Sequence, residues 1–145
     1  MKINTKLIAI AKNEGAYLPQ WIYHHFSIGF DEIEIYINDT TDNSVEICKK
    51  IQKNNSGLTF HIADKLRLES IKEQRSFQIS AYNNSLHHSS NTTHLMALDL
   101  DEYLICRNMN EKLSTLLDRQ NSPDCLSFLW YSDDYLSKKS FSHPL

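Results

Sequence analysis

Glycine is scarce in this chain, at three of 145 residues. The sequence contains neither a G-x-G-x-x-G fingerprint nor a G-x-x-x-x-G-K-S/T loop, and both of these motifs hold phosphate on glycine-rich backbone. We therefore disfavour dinucleotide and P-loop chemistry. Any phosphate that this protein binds is expected to be held by a metal ion rather than by a glycine-rich loop.

Cysteine, basic charge and long apolar runs are also limited. The three cysteines share no close spacing, which argues against a disulfide framework or a zinc knuckle and favours reduced thiols. The formal net charge of -3 shows no excess of basic residues, so nucleic acid is not an expected partner. No apolar run approaches the roughly 18 residues that span a bilayer, and no signal-peptide core is present. We therefore expect a cytoplasmic protein without a transmembrane segment.

The apolar residues that are present follow two periods along the chain. The chain has 145 residues, of which 41% are hydrophobic, and both values are typical of a single domain, residues 1–145. Compact or alternating runs predict five strands, at 7–11, 32–37, 58–63, 93–99 and 125–131. Helical spacing predicts four helices, one from near Leu18 to Gly29, one with Val45, Cys48 and Ile51 on one face, a long one at 68–88 and a short one at 110–118.

Strands that alternate with helices favour a mostly parallel sheet, because a parallel connection needs a crossover of about this length. The predicted fold class is therefore α/β, with helices on both faces of the sheet. In such a sheet the loops that follow the strands lie along one edge, where open α/β sheets bind their ligands. The loops at 11–14, 38–42 and 99–102 are expected to meet there.

The third of these loops carries two carboxylates with one residue between them, Asp99 and Asp101. Side chains of an extended chain alternate between faces, so both carboxylates are expected to point the same way while Leu98 and Leu100 point into the core. Carboxylate oxygens are ligands for Mg²⁺ and Mn²⁺, and a carboxylate pair repels a diphosphate unless a cation lies between them. The pair therefore predicts a metal and phosphate site. The alternative is a solvated acidic turn after a buried strand.

Several segments follow the order and spacing of one enzyme family. They read Ala-Ile-Ala-Lys-Asn-Glu at 9–14, Leu-Pro-Gln-Trp at 18–21, His-His at 24–25, Asn-Asp-Thr-Thr-Asp at 38–42, Gln-Ile-Ser-Ala-Tyr-Asn at 78–83 and Leu-Asp-Leu-Asp-Glu-Tyr-Leu at 98–104. This series resembles the family-2-like glycosyltransferases of the GT-A fold, in the branch whose metal motif reads D-x-D-E followed by an aromatic. The resemblance runs from about residue 7 to residue 131, and it implies a Rossmann-like nucleotide-diphospho-sugar transferase fold.

The resemblance implies transfer of a sugar from a UDP- or GDP-linked donor to an unidentified hydroxyl acceptor, in polysaccharide biosynthesis. A Mn²⁺ or Mg²⁺ ion on Asp99 and Asp101 would stabilise the charge that grows on the leaving diphosphate. Asp39 would bind the edge of the base. The full set of residues expected at the nucleotide is Ala11, Asn13, Glu14, Asp39, Gln78 and Asp99.

Structural roles are the alternatives for several of these residues. Asn13 is also suited to cap the helix that begins near Ala16, and Asp39 or Asp42 to cap the next helix. Gln78 shares a helical stripe at spacing i, i+4 with Gln74 and Tyr82, and this stripe could instead form a solvent face.

In related inverting enzymes a later carboxylate deprotonates the acceptor, which indicates Asp133 or Asp134 here, unless both belong to a polar loop. The acceptor half of the family continues beyond the position of Leu145, so we expect a chain truncated before it. One alternative function is a non-catalytic remnant of the fold that binds a nucleotide or a partner, and another is a flavodoxin-like module that binds Mg²⁺ without nucleotide. A second copy could cover the sheet edge left exposed and give a homo-oligomer.

Overall fold

The structure, a computed structural model, describes residues 3–89, 91–106, 108 and 111–129. Within these residues lie four strands and five helices. The strands are β1 (Thr5–Ala11), β2 (Glu32–Ile37), β3 (Leu58–Ile62) and β4 (His94–Ala97). The helices are α1 (Leu18–Ile28), α2 (Ser44–Asn54), α3 (Asp64–Lys72), α4 (Phe77–His87) and α5 (Leu113–Arg119).

The four strands are parallel and form one sheet in the order β3-β2-β1-β4. β1 pairs with β2 on one side and with β4 on the other. The predicted α/β class with a parallel sheet is confirmed. The chain adds β2 and β3 on one side of β1 and then crosses to the other side for β4. The sheet therefore has a topological switch point between β1 and β4, and ligands of open α/β sheets bind outside the carboxyl ends of the strands at such a point.

One face of the sheet carries the larger apolar core. Alternate residues of β1 and β2 point to this face and pack against α1, α2 and α5. The short helix predicted at 110–118 is confirmed as α5. Buried members of the core from the sheet and these helices are Leu7, Ala9, Ala11, Ile33, Ile35, Ile37, Leu18, Trp21, Ile22, Cys48, Ile51, Leu113 and Leu117.

The opposite face of the sheet is covered by α3 and α4. Ile8 and Tyr36 of the sheet form a second buried cluster there with Ala63 and with Ala81 of α4. Leu66 of α3 packs against the same cluster. Helices therefore cover both faces of the sheet, as the sequence predicts.

The single long helix predicted at 68–88 is wrong, because α3 and α4 take its place. Between them Gln74 has a left-handed backbone conformation, with φ at 55°. Its N–H donates to the carbonyl of Ile71, and the N–H of Arg75 donates to the carbonyl of Ser70, which is the Schellman arrangement of a helix end. Glycine usually occupies the left-handed position of this motif. With glutamine there, the helix end carries no sequence signal.

The fifth strand predicted at 125–131 is wrong for its described part, because residues 125–129 contain no strand. Its last two residues lie outside the described residues. Nearby, the carbonyl of Pro123 lies 3.1 Å from Nε2 of His94 in β4. An apolar run becomes a strand only where a neighbouring strand takes up its backbone hydrogen bonds. The apolar pattern alone does not supply that pairing.

A charged network lies on the face covered by α3 and α4. Glu34 of β2 is only 4% exposed. Its carboxylate accepts hydrogen bonds from Lys6 Nζ at 2.9 Å and from Ser85 Oγ at 2.5 Å. Tyr36 OH donates to it at 3.0 Å, and Nε2 of His61 lies 2.7 Å from it. One side chain therefore joins three strands of the sheet to α4.

The hydrogen bonds of Glu34 decide its charge. Burial raises the pKa of this carboxyl, but the bonds from Ser85, Lys6 and His61 outweigh burial and lower the pKa to about 2. Glu34 is therefore a buried anion whose nearest counter-ion is the equally buried Lys6 ammonium.

We expect Glu34→Gln to reduce the free energy of unfolding by about 3 kcal/mol, because the variant leaves Lys6 buried without its nearest counter-charge. Urea denaturation at neutral pH measures the loss. The matched control is Glu46→Gln, which removes an exposed carboxylate from α2 and should change the free energy of unfolding by about 0.5 kcal/mol or less. Equal losses in the two variants would contradict the stabilising role of the network.

Candidate functional site

Two loops are tied together at the edge of the sheet where the strands end, called here the carboxyl edge. Asn13, in the loop after β1, donates its backbone N–H to Oγ1 of Thr40 at 2.9 Å, in the loop after β2. Its side-chain Oδ1 accepts the N–H of Thr41 at 2.7 Å. Asn13 does not cap α1, since Tyr17 is the N-cap residue and no side chain caps this helix. Its amide instead fixes the first loop against the second.

Asp42 connects the same two loops just before α2 begins. It accepts the N–H of Gly15 at 2.8 Å, and from Ser44, the first residue of α2, it accepts the N–H at 3.0 Å and the hydroxyl at 2.5 Å. Asp42 is not the cap itself, since Asn43 is the N-cap residue of α2 and no side chain caps this helix. The hydroxyl of Ser44 is the main cause of a lowered pKa for Asp42, so this carboxyl is an anion at the carboxyl edge.

The predicted metal ligands lie on a turn rather than on an extended strand. The N–H of Glu102 donates to the carbonyl of Asp99 at 3.1 Å and closes a four-residue turn after β4, called here the acidic turn (residues 99–102). The extended alternation predicted for Asp99 and Asp101 is therefore wrong. Leu100 is buried in the core, as predicted, while both aspartates are exposed. The turn thus keeps the two carboxylates on the solvent side.

Carboxylates from different loops crowd together at the carboxyl edge. Burial and the charges of Glu102 and Asp101 raise the pKa of Asp99. Burial and the charges of Asp101 and Asp42 raise the pKa of Glu14. β1 and β4 are parallel neighbours, so the loop of Glu14 and the acidic turn leave the sheet at the same edge. Like charges held this close favour a bound cation.

The donor atoms of this cluster are hard carboxylate oxygens, which suit Mg²⁺ or Mn²⁺ better than Zn²⁺. Among the described residues, no three His, Cys, Asp or Glu side chains are arranged to hold a metal ion. Magnesium sites that also bind phosphate commonly use one or two carboxylates and complete the shell with phosphate oxygens and water. Asp99 and Asp101 fit a site of that kind.

Side chains of helix α1 form hydrogen bonds with the backbone of the acidic turn and of the residues after it. No pattern in the sequence predicts these bonds. Trp21 is fully buried, and its indole N–H donates to the carbonyl of Asp99 at 3.1 Å and to that of Glu102 at 2.9 Å. Three residues along the helix, Nε2 of His24 lies 2.9 Å from the carbonyl of Leu104. The helix and the turn are about 80 residues apart in the chain, so local patterns carry no signal for this contact.

His25 secures the chain just after the acidic turn. It is fully buried, its Nδ1 lies 2.8 Å from the carbonyl of Trp21, and its Nε2 accepts the N–H of Leu104 at 3.3 Å. Nδ1 therefore carries the proton, and the ring is neutral. Burial is the main cause of a pKa lowered to about 4 for His25.

Asp39, expected at the edge of the base, forms ion pairs with two cations. Its Oδ2 lies 2.9 Å from Nη1 of Arg67 in α3 and 3.8 Å from Nζ of Lys12. Its backbone N–H donates to Oδ1 of Asp64 at 2.7 Å. Arg67 is absent from the sequence prediction, in which the helix after the third strand begins only at residue 68, whereas α3 begins at Asp64. The alternative in which Asp39 caps a helix is not found.

Ala11 and Asn38 lie at the ends of two neighbouring strands. Ala11 is fully buried, and its carbonyl accepts the N–H of Asn38 at 3.0 Å, so its side chain belongs to the core. Asn38 is 6% exposed, and its Oδ1 is buried with no hydrogen-bond partner among the described residues. A buried acceptor of this kind is usually paired. No pattern in the sequence predicts a role for this side-chain amide.

Within residues 3–89, 91–106, 108 and 111–129, no contact joins Gln78 to the acidic turn. Gln78 is exposed in the first turn of α4 and donates to Tyr82 OH at 2.8 Å. The stripe that adds Gln74 to these two residues is wrong, because Gln74 lies before α4 begins. The expected catalytic bases, Asp133 and Asp134, lie outside the described residues.

Comparison with known proteins adds no assignment. No protein-family model matches the chain, and a search of curated proteins finds no significant match. In the described part of the chain, no helix is long and apolar enough to cross a membrane.

His25 is expected to make stability fall in mild acid. The unfolded imidazole takes up a proton near pH 6.5, whereas the folded one does so near pH 4, so the unfolded state binds more protons between these values. We expect the free energy of unfolding to drop by about 2 kcal/mol between pH 7 and pH 5, measured by urea denaturation. Glu34 adds no loss in this window, because its stabilisation is lost only below its unfolded pKa of 4.5.

The variant His25→Gln should flatten this pH dependence, since glutamine does not titrate. The matched control is His87→Gln on the exposed side of α4, which should leave the dependence as in the wild type. A slope that survives in His25→Gln would contradict the assignment.

Proposed function

We propose that this protein is a glycosyltransferase of the GT-A fold that binds a nucleoside diphosphate sugar at the carboxyl edge. It transfers the sugar to a hydroxyl acceptor, with Mn²⁺ or Mg²⁺ on Asp99 and Asp101. One observation carries the proposal: the acidic turn follows β4, which is the parallel neighbour of β1, so the turn and the loop of Glu14 leave the sheet at the same edge. That position is the switch point of the sheet, where open α/β sheets bind their ligands. The family resemblance of the motifs supplies the class of reaction.

The charge of the acidic turn supports a metal-dependent donor site. A diphosphate cannot approach uncompensated carboxylates without repulsion, and the chain has no glycine-rich loop to hold phosphate in another way. Asp99 and Asp101 would hold a divalent cation, whose charge would offset this repulsion. The phosphates of the donor would then supply ligands that the protein itself does not.

The loops after β1 and β2 are suited to the nucleoside end of the donor. Both ion pairs of Asp39 use Oδ2, so its Oδ1 remains an acceptor for an N–H of the base. The bases of both UDP and GDP present an N–H on their pairing edge, and Asn13 holds the two loops that would enclose the base.

The chemistry follows from where charge develops. As the bond between sugar and diphosphate breaks, negative charge grows on the diphosphate. Asp99 and Asp101 would hold the metal ion, which when bound would supply Lewis-acid stabilisation of that charge. Deprotonation of the acceptor is assigned to Asp133 or Asp134 by the family resemblance, and both lie outside the described residues.

Calorimetric titration of UDP and GDP with and without Mn²⁺ tests the donor site. We expect Mn²⁺ to tighten binding of one nucleotide by about 10-fold or more, at least about 1.4 kcal/mol. Asp99→Asn and Asp101→Asn should each remove this gain, because the amide loses the charge that holds the cation. Asp118→Asn, which changes an exposed carboxylate of α5, is the matched control and should bind as the wild type does.

The outcomes separate the functions. Absence of Mn²⁺-dependent nucleotide binding in the wild-type protein would contradict the donor site. Mn²⁺-dependent binding together with sugar transfer to a screened hydroxyl acceptor would support the enzyme. Binding without any transfer would restrict the function to donor binding.

A further inference from the structure

Trp21 touches both ends of the acidic turn. Its indole is fully buried on α1, and its one N–H lies between the carbonyl of Asp99, at 3.1 Å, and the carbonyl of Glu102, at 2.9 Å. An indole N–H only donates, and a buried one requires an acceptor. The acceptors here are the main-chain groups of the first and last residues of the turn. The bond therefore depends on the shape of the turn.

The acidic turn has a physical reason to open. Three carboxylates occupy four successive residues, Asp99, Asp101 and Glu102, and like charges at this separation repel. Within residues 3–89, 91–106, 108 and 111–129, no lysine or arginine forms an ion pair with any of these carboxylates. The carboxylate of Glu102 accepts the N–H of Asp99 at 3.1 Å and so helps to close the turn. The neutral indole of Trp21 adds a contact to both ends of the turn and leaves the charges of Asp99 and Asp101 in place.

We propose that Trp21 is a positioning residue of the metal site. Its indole N–H holds the backbone of the acidic turn in the shape in which the carboxylates of Asp99 and Asp101 can bind one cation. This inference rests on the proposed function and adds a residue that touches neither the cation nor the donor. Ligands that are ordered by folding bind a metal ion more tightly, because the ordering does not have to occur on binding. Mutation of partners that orient metal ligands typically weakens metal binding by about 10- to 100-fold.

The contacts on either side of Trp21 support this role. His24 and His25 follow it at spacing i+3 and i+4 on α1, and both bond to the backbone of Leu104. The ring of Tyr103 stacks on His25 with a centroid distance of 5.8 Å. The same face of α1 therefore fixes the acidic turn and the residues that leave it, so the turn cannot shift as a whole.

The test compares Trp21→Phe with the wild-type chain and with Ile22→Val. Phenylalanine keeps an aromatic ring in the core and removes only the donor and the second ring of the indole. Ile22, the next residue of α1, is equally buried, so its variant reports the effect of a core change alone. Mn²⁺ affinity is measured by electron paramagnetic resonance of the free ion, and exchange of the Glu102 amide by NMR.

We expect Trp21→Phe to weaken Mn²⁺ binding by about 10-fold or more and to speed exchange of the Glu102 amide, which closes the turn. Ile22→Val should change neither. Unchanged Mn²⁺ affinity in Trp21→Phe, with binding intact in the wild type, would overturn the role of Trp21 and leave the donor site standing. A wild-type protein that binds no Mn²⁺ either alone or together with UDP or GDP would overturn the proposed function and this role together.

The wild-type chain offers a second test that does not need the variant to fold. The indole N–H signal of Trp21, assigned with Trp130→Phe, should exchange slowly and shift when Mg²⁺ is added. The shift should disappear in Asp99→Asn. An indole N–H that exchanges freely with solvent, or that does not respond to Mg²⁺, would contradict the positioning role.

Discussion

Parallel pairing of four strands is the constraint on which the rest of this structure depends. Because the strands are parallel, every loop that follows a strand lies at the same edge of the sheet. Residues far apart in the chain therefore lie close together at that edge. The bonds of Asn13 to Thr40 and Thr41 then fix the first two loops against each other. Because β4 lies beside β1 rather than beside β3, the acidic turn faces the loop of Glu14 and not the loop after β3.

The two faces of the sheet bury different kinds of side chain. The face under α1, α2 and α5 is apolar throughout its buried cluster, whereas the face under α3 and α4 surrounds an anion, Glu34, with donors from three strands and a helix. A buried anion is tolerated only when its hydrogen bonds offset the loss of hydration. The network therefore makes the packing of α4 depend on matched polar partners around an anion, while α1 combines apolar packing with hydrogen bonds from neutral groups such as the indole of Trp21.

Much of the fold was predictable because its signals are local. The runs at 7–11 and 32–37 carry their strand pattern within a few residues, and Gly29 marks the end of α1. The break between α3 and α4 was not predictable, since Gln74 takes a conformation that sequence patterns associate with glycine. At the site, the motifs located Glu14 and the acidic turn, but the turn replaced the expected extended strand. The contacts of Trp21 and Arg67 arise from tertiary packing, for which one sequence has no local signal.

The contacts that hold the carboxyl edge explain how several carboxylates there can remain charged and free to bind a cation. The described cations of the carboxyl edge, Lys12 and Arg67, pair with Asp39. The acidic turn is held through its backbone by the neutral indole of Trp21 and by the Glu102 carboxylate, which accepts the N–H of Asp99. A lysine or arginine in the place of the indole would neutralise the carboxylates and compete with a metal ion, whereas a bond to a carbonyl fixes the chain and leaves the charge intact. In the proposed site, the carboxylates of Asp99 and Asp101 therefore keep the charge that a metal ion would use, while the indole and Glu102 fix the shape of the turn.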